Sequence, residues 1–278
     1  MKKTERIPTG IEGLDSLLNG GLPMNTVNLV SGPPGSGKSL LCMHFIYSGV
    51  ENFDEPGLYI MLEENHDNLV KAMKSFGLRP EIYEEEGDLI LADLGWITKE
   101  LGPEREAPSG LAGMDILRDK GKEHRVDMAW LETDSEARAE LEKGFVGFRT
   151  LHEVVEHTVA KKKIKRLVVD SVAAIGLMYK SPEIFRKELF AFGRYLRDKK
   201  LTSMLVTETS GVTNAVRFGV EHFLTDSHIQ LNLRSVKGEF MRTVTVQKMR
   251  FGNHDSGVHP FNITSRGMEI NTREFVRV

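Results

Sequence analysis

The chain has 278 residues, with 37 Lys+Arg against 40 Asp+Glu and a net charge of −3, so a wholesale basic sleeve for nucleic acid is excluded. Hydrophobic residues at 40% exclude disorder, and the single Cys42 excludes a disulfide framework or a cysteine-rich zinc site. No apolar run nears the roughly 18 residues of a spanning helix, and the start MKKTERIPTG lacks a signal peptide's apolar stretch, so a cytoplasmic chain without membrane contact is expected.

In chain order, Thr26–Gly32 (TVNLVSG) reads as a buried strand ending in glycine, followed by a helix from Leu40. Gly57–Leu62 and Asp88–Leu94 are further strands. Residues from about 95 to 145 break the rhythm, with 12 Asp+Glu, 8 Lys+Arg and few apolar positions in sequence. They read as a surface insertion, with one or two helices, in a single domain spanning residues 1–278. Phe148–Lys161 then places Phe148, Leu151, Val154, Val155 and Val159 at helical spacing, and Glu183–Arg197 does the same through Ile184, Leu189, Phe192 and Leu196. Around these lie the strands Arg166–Asp170, Leu201–Thr207 and Ser227–Leu233. Apolar strands alternating with amphipathic helices predict an α/β fold with a mostly parallel sheet flanked by helices. Met241–Gln247 and Phe261–Thr264 follow too closely for crossover helices, so an antiparallel β extension closes the chain.

Gly32–Ser39 reads GPPGSGKS, a complete G-x-x-x-x-G-K-[ST] phosphate loop (P-loop, Walker A) between a strand and a helix. Gly35 and Gly37 let backbone N–H groups converge on a β-phosphate, and the helix N-terminus adds its dipole. Lys38 reaches the β- and γ-phosphates, and the Ser39 hydroxyl ligates Mg²⁺. Asp170 ends an apolar strand, where a carboxylate can hold a water of the Mg²⁺ shell. Glu63 and Glu64 follow the strand LYIML, at the carboxyl ends of the strands where chemistry collects in such a sheet, and either can orient or deprotonate an attacking water. Lys248 and Arg250 share one side of a strand and can aim at one target, although spacing alone favours ordinary exposed edge charge. The string HEVVEH is no metal motif. Its histidines are five apart, about 140° of helical rotation. Cys42 reads as a buried small side chain.

Together these segments resemble the RecA superfamily, and within it the KaiC-like ATPases. The echoes are PTGIEGLDSLLNGGLP before the first strand, GPPGSGKSLL, the Glu63–Glu64 pair, RLVVDS, FLTDSHIQL, and KMR followed by His254. The resemblance implies a RecA-like P-loop fold that binds ATP and Mg²⁺ through Gly35, Ser36, Gly37, Lys38, Ser39 and Leu40, with Glu63 and Glu64 serving catalysis. It implies a homo-oligomeric ring, a hexamer, in which Lys248 and Arg250 reach the neighbour's γ-phosphate. Further nucleotide contacts fall on Ser75 from the same subunit and on Met249, His254 and Thr264 from the neighbour. His222 and Phe223 stand where the clock protein carries its autophosphorylated hydroxyl pair, so autokinase activity at those positions is not implied.

The expected function is hydrolysis of ATP to ADP and phosphate in a regulatory or signalling role, with a protein partner possible. The alternative is a recombinase-like, DNA-binding ATPase using loops Ser171–Pro182 and Ser210–Glu221, which hold Lys180, Arg217, Tyr179 and Phe218. A small-molecule kinase with residues 95–143 as lid ranks last, because an acidic insert clamps phosphates poorly.

Overall fold

The structure, a computed structural model, describes residues 5–101, 117, 119–124, 126, 128–176, 178, 179, 181–209, 224–236 and 239–276. Among these residues, nine strands form one sheet in the order β11-β10-β9-β8-β3-β7-β6-β4-β5. Its parallel part comprises β3 (Val27–Gly32), β4 (Gly57–Met61), β5 (Leu89–Asp93), β6 (Arg166–Asp170), β7 (Thr202–Glu208) and β8 (Ser227–Val236). β9 (Glu239–Met249), β10 (His259–Thr264) and β11 (Gly267–Ile270) continue it antiparallel. The expected extension is present, with β11 as a strand the sequence did not announce. A separate two-stranded ribbon, β1 (Arg6–Ile7) with β2 (Leu22–Pro23), brackets α1 (Glu12–Leu17).

Strand alternation divides the core between the two faces of the sheet. Leu58, Ile60, Leu167 and Val169 pack on one face, while Tyr59, Met61 and Val168 pack on the other. The second face carries α2 (Lys38–Phe53), which starts two residues before the expected Leu40. It is not amphipathic. Leu40 to Gly49 is buried apart from His44, because β11 and the N-terminal segment cover the side that faces away from the sheet. α3 (His66–Ser75) and α4 (Pro80–Glu86) adjoin this layer; Asn65 caps α3 by accepting from Asn68 N at 2.9 Å.

The opposite face holds α5 (Gly95–Leu101), α6 (Ser135–Glu142), α7 (Phe148–Lys161), α8 (Val172–Gly176) and α9 (Pro182–Asp198). α9 begins at a Ser181 cap with Pro182 in its first turn. The charged stretch expected as a surface insertion contributes more to the interior than its composition suggests. Trp96, Ile97, Leu117, Val126, Met128, Trp130, Ala137 and Leu141 are all buried in the same core as α7 and α9. Their spacing is irregular, so no single period exposes them to a sequence reading. Trp130 is fully buried. Trp130→Ala should therefore cost about 3–5 kcal/mol in a urea unfolding titration. A variant as stable as the parent would show that the segment is not integral to the core.

Among the described residues, no helix is long and apolar enough to cross a membrane.

Candidate nucleotide site

Strands β3, β4, β6 and β7 end side by side, and the chemistry-bearing residues of the sequence meet at those ends. After β3 the chain turns through Gly35 and Gly37 at φ +73° and +99°, backbone conformations that L side chains rarely adopt. Gly37 is then the residue before α2, and the turn leads directly into the helix N-terminus. Ser36 is buried, and so is Leu40, which leaves Leu40 its main chain for a ligand. The Lys38 ammonium lies over the loop and donates to the carbonyls of Gly32 at 2.9 Å and Pro33 at 3.0 Å. Burial pushes its pKa down, against the opposing pull of Glu208, Asp170 and Glu63.

Ser39 and Asp170, distant in sequence, are in direct contact. The Ser39 hydroxyl donates to Asp170 Oδ2 at 2.7 Å, and the Tyr59 hydroxyl donates to the same oxygen at 2.8 Å. Burial, and then the Asp170 charge, raise the Tyr59 pKa well above its ordinary value, so Tyr59 stays a donor that orients the carboxylate. A hydroxyl and a carboxylate at this spacing, beside a phosphate-binding turn, fit a Mg²⁺ that completes its shell with water and phosphate oxygens.

The two glutamates part company. Glu63 Oε2 accepts from the Ser171 hydroxyl at 2.7 Å, on the side of Asp170 and Lys38. Glu64 Oε1 instead accepts from Asn65 N at 3.1 Å and Asn68 Nδ2 at 2.8 Å, turned towards the start of α3. Both line a cleft of about 230 Å³ together with Ser39, Met43, Tyr59, Met61, Asn68, Leu69, Ala72 and Asp170. Ser75 lies at the end of α3 and donates to Ala72 O at 2.7 Å. It is exposed and is not among the residues that line the cleft.

The remaining expected residues divide between the two ends of the sheet. Thr264 is on β10, beside Ile263, which lies near Gly37 of its own phosphate loop. The Thr264 hydroxyl itself donates to Glu269 Oε1 at 3.0 Å. Lys248, Met249 and Arg250 are at the other end. Met249 pairs with Ser227, which lies level with Asn28; Gly32 is four residues further along β3, about 13 Å at roughly 3.3 Å per residue. Lys248 Nζ donates to Thr225 O at 2.6 Å, pointing further from the loop, and Arg250 Nη1 lies 3.6 Å from Asp226 Oδ1. The two cations thus contact adjacent residues of one segment, remote from their own phosphate loop. Met249 turns its side chain into the core, where its sulfur accepts from Arg6 Nη1 at 3.2 Å. His254 lies in the partly buried loop that follows.

Three neighbours of the site were not legible beforehand. Tyr59 lies within an apolar strand, Glu208 ends β7 and acts on the Lys38 charge, and Arg242 Nε donates to Gly35 O at 3.3 Å from β9. The loop Ser210–Glu221, with Arg217 and Phe218, and Lys180 in the other candidate DNA loop, lie outside the described residues. Cys42 is buried, as expected, with its sulfur 3.9 Å from that of Met204.

A family model described as "ATPase: KaiC" matches residues 7–111 and 110–274. The chain belongs to the KaiC ATPase family. It is 31% identical over 271 residues to the circadian clock oscillator protein KaiC 1 of Synechocystis sp., which covers 97% of this chain and 44% of that protein. It thus spans less than half the length of the KaiC clock proteins it matches. A UPF0273 protein of Thermotoga maritima is 31% identical over 267 residues, with 96% of each chain covered. The crystal structure of a KaiC-like protein from Pyrococcus horikoshii OT3 superposes with a TM-score of 0.70 at 28% identity, covering 96% of this chain and 99% of that one. This likeness at full coverage agrees with a KaiC-like, RecA-type α/β fold that ends in antiparallel strands.

Proposed function

We propose that this KaiC-family chain hydrolyses ATP to ADP and phosphate at sites completed between the subunits of a head-to-tail ring, in a regulatory or signalling role. The observation that carries the reading is the separation of cations along the sheet. Lys38 and the acids stand at the carboxyl ends of the parallel strands, while Lys248 and Arg250 stand at the opposite end. A heterologous interface brings those two ends together, and repeated around a closed rotation it makes a ring. Six subunits is the size that the family resemblance suggests.

In this reading the loop amides from Gly35 to Leu40 and Lys38 bind the triphosphate. Ser39 and Asp170 would hold a Mg²⁺, which would supply charge neutralisation for the triphosphate. Glu63 takes the proton of a water whose oxygen attacks the γ-phosphorus, and the bond to the β–γ bridging oxygen breaks, releasing ADP and phosphate. Glu63 is favoured over Glu64 because it faces Asp170 and Lys38, whereas Glu64 is engaged at the start of α3. The neighbour's Lys248 and Arg250 stabilise the charge on the transferring group.

Glu63→Gln should keep ATP binding and lose turnover by about 10²-fold or more. Glu64→Gln should change turnover much less. Steady-state phosphate release beside nucleotide-binding titrations checks both. Parent turnover in Glu63→Gln would remove it as the base.

A further inference from the structure

The cations at the end of β9 do not hang free from the strand. They rest on the short segment Leu224–Asp226 that leads into β8. Asp226 is buried at 2% exposure. Its two carboxylate oxygens have different work. Oδ2 accepts from Val27 N at 3.0 Å and Arg197 Nε at 2.9 Å, which ties β3 and α9 together. Oδ1 lies 3.6 Å from Arg250 Nη1. The main chain adds to the hold: Arg250 N donates to Asp226 O at 2.8 Å and Lys248 Nζ to Thr225 O at 2.6 Å.

We infer that Asp226 is a positioning residue for the intersubunit cations: its buried carboxylate, set against Arg250, fixes the direction in which that guanidinium meets a neighbouring subunit. The inference rests on the proposed intersubunit reading and deepens it. A purely structural staple to Val27 N and Arg197 would need only one of the two oxygens. Arg197, Lys248 and Arg250 converge on this segment, and like charges so gathered splay apart without a counter-charge. Arg250 is also half exposed and long, so its direction is free unless something at its base sets it. A misplacement of about 1 Å at a reacting phosphate can lower the rate about 10²-fold. A buried carboxylate behind the guanidinium supplies the missing constraint.

The test is Asp226→Asn in the full-length protein, with ring mass and unfolding midpoint measured alongside. The expected result is a kcat lowered about 10–100-fold with the KM for ATP within about threefold of the parent. Mixed in one ring with Lys38→Ala, Asp226→Asn should recover turnover, since each supplies what the other lacks; mixed with Arg250→Ala it should recover none. A parental kcat would overturn the proposal, and so would recovery with Arg250→Ala instead of Lys38→Ala, which would locate the defect in the variant's own nucleotide pocket. If Asp226→Asn does not fold, Asp226→Glu keeps the charge and displaces it by one methylene. It should show the same fall in kcat and the same pattern in mixtures, and parental kcat would again overturn the proposal. Arg250→Ala mixed with Lys38→Ala is the control. If that pair recovers nothing, the intersubunit reading itself fails and this proposal with it. If it recovers while Asp226→Asn with Lys38→Ala does not, only the positioning role fails.

Discussion

Lys38→Ala is expected to abolish nucleotide binding and, with it, all turnover. Lys38 is the cation that the phosphate loop carries into a cluster otherwise made of acids: Glu208, Asp170 and Glu63 all act on its charge. Removing it leaves those carboxylates facing a triphosphate of the same sign. One charge pair at about 4 Å is worth about 4 kcal/mol at an effective dielectric near 20, which is about 10³-fold in affinity. The loop itself should survive. Its turn depends on Gly35 and Gly37, and Lys38 contributes two hydrogen bonds to carbonyls that water can replace. Titration with a fluorescent ATP analogue measures the loss. Binding within about tenfold of the parent would mean that the loop amides and Mg²⁺ carry the affinity without Lys38.

Arg250→Ala should fail for a different reason. Its own phosphate loop is untouched, so ATP should bind with parental affinity. Turnover should fall about 10³-fold, the scale on which an arginine supplied in trans acts on a transferring phosphoryl group. Asp226 keeps Val27 N and Arg197 Nε as partners when the 3.6 Å contact to Arg250 is lost, so its buried carboxylate is not left unpaired and the unfolding midpoint, measured alongside, should stay near the parent's. Phosphate release measured beside ATP binding separates the two outcomes. Turnover within a few-fold of the parent would return Lys248 and Arg250 to ordinary edge-strand charge.

Period and punctuation carried most of this architecture. The helix over Phe148–Lys161 has the bounds that its apolar spacing predicts, because one stripe faces one core. The strands of the parallel sheet fall within a few residues of their predicted limits, since most are short apolar runs closed by glycine or an acid. The residues between 95 and 145 were harder. Trp96, Leu117, Val126, Met128, Trp130 and Leu141 reach the core from separate short elements, so no window contains enough of them to show a face. β11 was missed because its four residues follow a tight turn and carry no alternation long enough to read.

At the site, the motif residues were legible and their partners were not. GPPGSGKS announces Lys38 and Ser39 by local spacing alone. That Ser39 touches Asp170, and that Tyr59 shares the same oxygen, depends on β3, β4 and β6 ending together. The division of labour between Glu63 and Glu64 is likewise tertiary: adjacent residues diverge because one meets Ser171 and the other Asn68. Spacing placed Lys248 and Arg250 on one side of a strand. Only the antiparallel pairing of β9 with β8 puts that side at the end of the sheet away from the phosphate loop.

That separation makes one measurement decisive. Arg250→Ala subunits keep an intact phosphate loop, and Lys38→Ala subunits keep an intact Arg250. Mixed in equal amounts, with exchange confirmed by mass, about one head-to-tail interface in four should join the two intact halves. Phosphate release should then rise to about a quarter of the parental rate, far above either variant alone. Mixed rings that form and remain as inactive as their components would show that Arg250 does not act on a neighbour's nucleotide, and the intersubunit account would be contradicted.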